Sequence, residues 1–368
     1  MNKANYEELL NNIVSTGCTY ADIYKQKSKR KIYSLIDSKI DSIKVLERVG
    51  IGLRSILSNH SKYVATNNLS FDNLMEQAKL LSSYYNDKKV LDNITLKEEI
   101  KDDIVVAKIK HDDYKTEDKI KLLKKIDELA RNESPLVSQV SASIIEEDNE
   151  FEIANTNGKL IKSSYINTRI IIHIYVKKDD IQESIFDRIG SAKGYELLDE
   201  VNIEDFVKNT VCDAIDKLNA ITIKGGEYPV VLEHGFGAII FHEACGHGLE
   251  ATSVAPKLSC FTDYLGKQIA SPKVTLVDDG TIKNSWGSVN VDDEGTISSK
   301  NILIENGILK SYMVDYLNKD VMKHKITGNS RRQDYTYEPT SRMTNTYIAK
   351  GTDRIDDMLK SIKYGIYC

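Results

Sequence analysis

The chain holds 368 residues, 41% of them hydrophobic, with 50 Lys and Arg against 55 Asp and Glu and a formal net charge of −5. This composition supports a large buried core divided over two or three domains, and the interspersed charges of both signs leave no basic stripe for nucleic acid. No apolar run approaches the roughly 18 residues of a membrane span and residues 1–6 open no secretory segment, so the expectation is a cytoplasmic protein whose scattered Cys18, Cys212, Cys245, Cys260 and Cys368 stay reduced.

Helical periodicity over residues 4–16 gives way to alternating stretches at 21–27, 31–36, 43–48, 52–57 and 62–66, an antiparallel meander, and then to a helix over 71–85. The polar stretch 86–116 marks a first boundary. A second unit follows, with a helix over 117–131, a strand over 136–147, a hairpin turning at Asn157-Gly158, strands over 165–177 and 183–189, and an amphipathic helix over 204–218. Residues 223–227 form the second boundary. Beyond it come a β-like run at 229–232, an apolar helix beginning near 237, a strand over 273–277 turning at Asp278-Asp279-Gly280, a hairpin at Asn306-Gly307 and a strand at 346–348. The expected fold is α+β. Antiparallel sheets flanked by helices make an N-terminal unit (1–100) and a central unit (101–222), and a mostly-β C-terminal domain (223–368) carries the motif helix. The apolar run 364–368 ends the chain without a polar tail and reads as an incomplete C-terminus.

The segment richest in chemistry is His242-Glu243-Ala244-Cys245-Gly246-His247. Two imidazoles are nitrogen ligands for a borderline-soft ion such as Zn²⁺, and the adjacent carboxylate is placed to accept a proton from an attacking water. The spacing is one residue longer than the usual zinc-protease pattern. In a plain helix, side chains five apart lie about 140° from one another around the axis, too far to share an ion. The chain must therefore absorb the extra residue in a π-bulge or place His247 past the helix end, and Gly246 and Gly248 make both routes accessible. A regular α-helix would instead put His242 and Cys245 on one face.

Other segments carry two readings each. Asp292-Asp293-Glu294-Gly295 is a solvated turn or a carboxylate cluster, and Arg331-Arg332 is a surface pair or a clamp for a substrate carboxylate. Cys245 and Cys260 are small buried thiols or thiolate ligands, and His60, His111, His173, His234 and His324 lack nearby partners in sequence and read as structural or surface-exposed.

Taken together the motifs resemble the TldD/PmbA family of metal-dependent peptidases, in its TldD branch. The nine residues from His242 to Glu250 resemble the block HEAxGHGLE, the eight from Val274 to Thr281 resemble VTxVDDGT, and the five from Asp292 to Thr296 resemble DDEGT. The six from Thr327 to Arg332 are similar to TGNGRR, the five from Arg342 to Thr346 to RMTNT, and the five from Gly50 to Arg54 to GxGxR. The resemblance implies a zinc peptidase acting on short or unfolded peptides inside a closed dimer cavity, as a homodimer or paired with a PmbA/TldE-like subunit. It makes His242 and His247 zinc ligands and Glu243 the general base. The family's third ligand is a cysteine farther downstream than residue 368, and Cys368 does not correspond to it. The expectation is thus a metal-poor and inactive chain derived from a functional peptidase, whose substrate would bind as an added strand along a sheet edge. Two rival readings are a non-catalytic PmbA-like modulator subunit and an enzyme of the dipeptidyl peptidase III type. The second needs a downstream pair of glutamates on a helix, which is not found after His247.

Overall fold

The computed structural model describes residues 1–101, 103–235 and 239–368. Helix α1 (Lys3–Ile13) starts at a reciprocal Asn2/Asn5 cap and buries Tyr6, Leu9, Leu10 and Ile13, the spacing of one helical face. Strands β1 (Tyr20–Ile36), β2 (Lys39–Leu57) and β3 (His60–Thr66) form the meander, and α2 (Phe71–Ser82) packs beside α1 over Ala21, Ile23, Ile51 and Leu53. The short β4 (Lys97–Lys101) precedes α3 (Thr116–Glu133), β5 (Val137–Asn155), β6 (Lys159–Lys178), β7 (Ile181–Ser191) and α4 (Ile203–Leu218). Helices α3 and α4 cover a second core that includes Tyr33, Leu35, Ile144, Ile170 and Ile172.

The helix-flanked antiparallel strands follow the patterning, but 136–147 and 151–153 are one strand, 160–161 and 165–177 another, and the short β4, parallel to β6, falls in the expected boundary 86–116. The stretches at 21–27 and 31–36 are one strand of 17 residues, and those at 43–48 and 52–57 are one of 19. Strand β1 also pairs with β5 along its length, from Asp22↔Asn155 to Ile36↔Ser141, so the N-terminal and central strands make a single seven-stranded sheet. Hydrophobic alternation specifies which face a residue occupies but not which strand satisfies the edge, and a 17-residue edge left unpaired would be an open template. Odd-numbered β1 residues such as Ala21, Ile23, Tyr33 and Leu35 face the helices, while Asp22, Tyr24 and Gln26 face the C-terminal part of the chain.

That part is built from short strands and long loops: β8 (Val230–Val231), β9 (Leu276–Asp279), β10 (Lys300–Glu305), β11 (Ile308–Leu309), β12 (Ser330–Arg331), β13 (Thr340–Ser341), β14 (Thr346–Ile348) and β15 (Ile366–Tyr367). Four of them form an antiparallel sheet in the order β11-β10-β9-β14 around a core of Leu249, Leu276, Leu303, Ile304, Met313 and Val314. The run at 364–368 finds its partner in β8, with Ile366 beside Val230 in parallel register. Within the expected apolar helix before the motif, residues 237 and 238 lie outside the described residues, and Ile239–Phe241 forms a helical turn.

Two sequence expectations fail here. Asp278 and Asp279 are strand residues of β9, both buried, rather than a turn. Asp278 accepts hydrogen bonds from Asn329 Nδ2 (2.6 Å), the Thr344 amide (2.8 Å) and the Thr346 hydroxyl (2.8 Å), donors from distant segments that local turn chemistry cannot anticipate. The turn at 292–295 exists, but its acids are buried rather than solvated. Arg54 pairs with Asp22 (2.5 Å) and Glu294 (2.5 Å), and Arg332 with Asp22 (2.9 Å), all with buried side chains. Among the described residues no helix is long and apolar enough to cross a membrane.

Candidate metal centre

From Ile239–Phe241 the backbone widens into a π turn over His242–Gly246, in which the amide of His247 donates to the carbonyl of His242, and then tightens into a 3₁₀ turn over His247–Leu249. The wide turn takes up the extra residue, one of the two routes the spacing allows. It brings the His242 and His247 rings together, centroids 4.8 Å apart and nearly perpendicular at 88°. Glu243 joins them, with Oε2 3.7 Å from His247 Nε2, and the ligand atoms of all three lie within 4.8 Å of one another. His242 and Cys245 do not form the pair that a regular helix would give. Cys245 packs against the third core instead, and burial raises its thiol pKa, away from thiolate character.

The surroundings prepare the imidazoles for a metal. Burial, with the neighbouring His247, pushes the pKa of His242 below the ordinary imidazole value, so its ligand form is favoured at neutral pH. His247 Nδ1 lies 3.2 Å from Oε1 of the buried Glu250. With Glu250 as a carboxylate accepting from Nδ1–H of a neutral ring, Nε2, the atom facing Glu243, carries the lone pair. Burial raises the pKa of Glu250, while Arg342, with Nη1 3.7 Å from its second oxygen, and His247 favour its charged form.

Residues 342–346 form the adjoining wall. A side chain at Gly246 would meet Met343 Sδ at 2.2 Å, which shows how closely this segment approaches the turn. Asn345 accepts from the Gly287 amide (2.9 Å) and donates to the Asp279 carbonyl (2.7 Å), fixing the loop that carries Trp286. Gly287 comes so near that a Cβ there would sit 2.4 Å from the Thr344 carbonyl oxygen. His242, Trp286, residues 344–346 and residues 185–188 of β7 line a cleft of about 1040 Å³.

The other candidates lie elsewhere. His111 is buried between Asp148 (3.0 Å) and Thr168 (2.9 Å), and His173 bonds Ser184 (3.0 Å). His324 contacts the Lys325 carbonyl (2.8 Å), His60 and His234 are exposed, and Cys260 and Cys368 are exposed free thiols. Sequence reasoning assigned no role to Glu250 or Arg342. The separation of His247 and Glu250 by three residues was the available signal, since residues at that spacing share a helical face.

Known proteins with the same fold include TldE from Thermococcus kodakarensis, with a TM-score of 0.76 and 18% identity over 98% of this chain and 81% of that one. Residues 109–219 match the PmbA/TldA metallopeptidase central domain and residues 225–368 the PmbA/TldA metallopeptidase C-terminal domain. The metalloprotease TldD homolog of Buchnera aphidicola subsp. Acyrthosiphon pisum is 34% identical over 376 residues, spanning all of this chain and 78% of the relative. The zinc metalloprotease TldD homolog of Saccharolobus solfataricus is 27% identical over 361 residues, 95% of this chain and 77% of the relative. These matches define a protein of the metallopeptidase class. Within that class the chain belongs to the PmbA/TldD family.

Proposed function

We propose that this chain is a zinc-dependent peptidase acting on short or unfolded peptides, with His242 and His247 as zinc ligands and Glu243 as general base. The observation that carries the reading is the π turn, which converts a spacing unusable on a regular helix into two converging imidazoles beside a carboxylate. Two neutral nitrogens with one carboxylate suit zinc, and a zinc-named relative supports that choice. When bound, zinc would supply Lewis acidity to polarise the scissile carbonyl. Glu243, whose side chain is 63% exposed in the site, takes a proton from the attacking water and returns it to the leaving amine as the C–N bond breaks.

Among the described residues the cluster offers two imidazoles, the proposed base Glu243 and no third protein ligand, so the chain by itself should be metal-poor and inactive unless zinc is supplied in excess. The substrate backbone is proposed to lie along β7, which pairs only with β6 among the described strands and whose residues 185–188 face the cleft. Pairing main chain to main chain there would tolerate many sequences. Exposed Ile43, Val45, Leu46 and Val49 on β2 support association with a second subunit, a copy of this chain or a TldE-like partner. All five cysteines are free, in keeping with a reducing cytoplasmic setting.

The test is hydrolysis of an unstructured peptide at saturating zinc. Glu243→Gln should lower the rate on the order of 10²- to 10⁴-fold, and zinc titration should show loss of binding in His242→Ala and His247→Ala. Equal hydrolysis by wild type and Glu243→Gln would remove the peptidase reading and favour a modulator subunit.

A further inference from the structure

Next to the metal-binding cleft, and sharing Trp286, Gly287 and Thr344 with it, lies a second cavity of about 660 Å³. Its charged lining consists of Glu147, Glu338, Arg331, Arg332 and Arg342. Three of these are already committed. Glu147 pairs with Arg30 (3.3 Å), Glu338 accepts from the Ser61 hydroxyl, and the Arg332 side chain is buried against Asp22 and bonded to the Tyr63 hydroxyl. Arg331 is half-buried; its charge acts on the buried Asp293 and on Tyr165, but it makes no side-chain hydrogen bond or ion pair with a described residue. Arg342, 52% exposed, has a 3.7 Å ion pair to Glu250 as its one side-chain pairing among the described residues, and its charge also reaches His242.

The two-stranded ribbon β12-β13 sets these arginines apart. Arg331 ends β12 and Arg332 follows it; successive extended residues point to opposite sides, and Arg332 is the one that reaches Asp22. Arg342 extends β13, its amide donating to the Asn329 carbonyl (2.8 Å), so both guanidiniums belong to one ribbon wall. A half-buried guanidinium has lost part of its hydration and carries five N–H donors in a fork that matches a carboxylate. Arg342 also touches the Glu250 carboxylate that holds His247, which puts the ribbon wall one residue away from the metal ligands.

We infer that Arg331 and Arg342 form a carboxylate-recognition subsite of the peptide-binding cleft. The subsite rests on the peptidase reading for its substrate, and its ligand is a peptide carboxylate, either the C-terminal α-carboxylate or an acidic side chain close to the scissile bond. Trp286, the sole tryptophan, is 39% exposed at the junction of the two cavities with the Arg169 guanidinium 3.9 Å from its ring centre, and so reports on occupancy.

The experiment follows Trp286 fluorescence in chelator-treated protein titrated with three forms of one unstructured peptide: free C-terminus, C-terminal amide, and amide with a penultimate Glu. The free acid should bind at least about tenfold tighter than the plain amide, the difference expected for one charge-assisted pairing. Arg331→Gln and Arg342→Gln should each erase that preference, and Arg331→Lys should retain part of it. Tight binding of the free acid alone identifies the α-carboxylate, and tight binding of the Glu-containing amide as well identifies an acidic side chain. Equal affinity for all three peptides, an unaltered preference in both Gln variants, or no saturable signal overturns the subsite. Hydrolysis assays on the same preparations separate this result from the peptidase reading. A carboxylate preference with no effect of Glu243→Gln sinks only the peptidase, and Glu243-dependent hydrolysis without the preference sinks only the subsite.

Discussion

At the scale of single residues, the proposed metal site depends on which nitrogen of His247 is free. The buried Glu250 carboxylate is placed to accept from Nδ1–H, which favours the tautomer with Nε2 free. Glu250→Gln should weaken zinc binding by roughly 10- to 100-fold, as loss of an outer partner does at other zinc sites. Calorimetric zinc titration checks this, and unchanged affinity would mean that Glu250 serves packing alone. His242 and His247 were legible as a pair from their types and their neighbours. Glu250 and Arg342 were not, because their roles arise from contacts that the backbone conformation creates.

Among the elements, the two Asn-Gly turns differ although their sequences agree. Asn306 and Gly307 both have positive φ, 48° and 80°, and the turn joins Glu305 directly to Ile308, the two-residue type I′ pattern. In the other, only Gly158 is left-handed, at 79°, and three residues separate the paired Asn155 and Lys159. Gly158→Val should therefore cost about 1–3 kcal/mol, read from urea unfolding, and a cost near zero would show that the loop relaxes. The turn at 292–295 makes a pH prediction. Burial beside Glu294 pushes the Asp292 carboxyl up to about 8. The folded state thus keeps a proton that an unfolded carboxyl gives up near pH 4. Its contribution is present in full below that pH and is lost as the pH rises toward 8. Unfolding free energy should fall between pH 5 and pH 8, less steeply in Asp292→Asn, and parallel profiles would contradict the assignment.

For the whole molecule, the contact between the sheet and the C-terminal part runs through buried charge. Arg54 lies in the sheet, Glu294 and Arg332 lie in C-terminal loops, and Asp22 is shared by both arginines. Arg54→Met leaves Asp22 and Glu294 without that partner and should cost about 3–5 kcal/mol, measured as a lowered denaturation midpoint. A change below about 1 kcal/mol would show that Arg332 compensates. The resemblance to TGNGRR marked Arg331 and Arg332 but did not distinguish them. The fold buries Arg332 in the sheet contact and leaves Arg331 in the cavity.

What the sequence by itself determined was local or chemical: the four long helices, most strands, the two Asn-Gly turns, the α+β class, and His242, Glu243 and His247 as candidate ligands and base. Those follow from periodicity, turn residues and ligand chemistry, which need no knowledge of distant neighbours. Tertiary structure decided the rest: the merging of N-terminal and central strands into one sheet, the burial of the 278–279 and 292–294 acids, the choice of the π turn, and the separate fates of Arg331 and Arg332. The sheet, the acids and the arginines turn on which distant group satisfies a strand edge or neutralises a charge, and the π turn packs with Gly246 against Met343; those partners are chosen only when the chain folds back on itself.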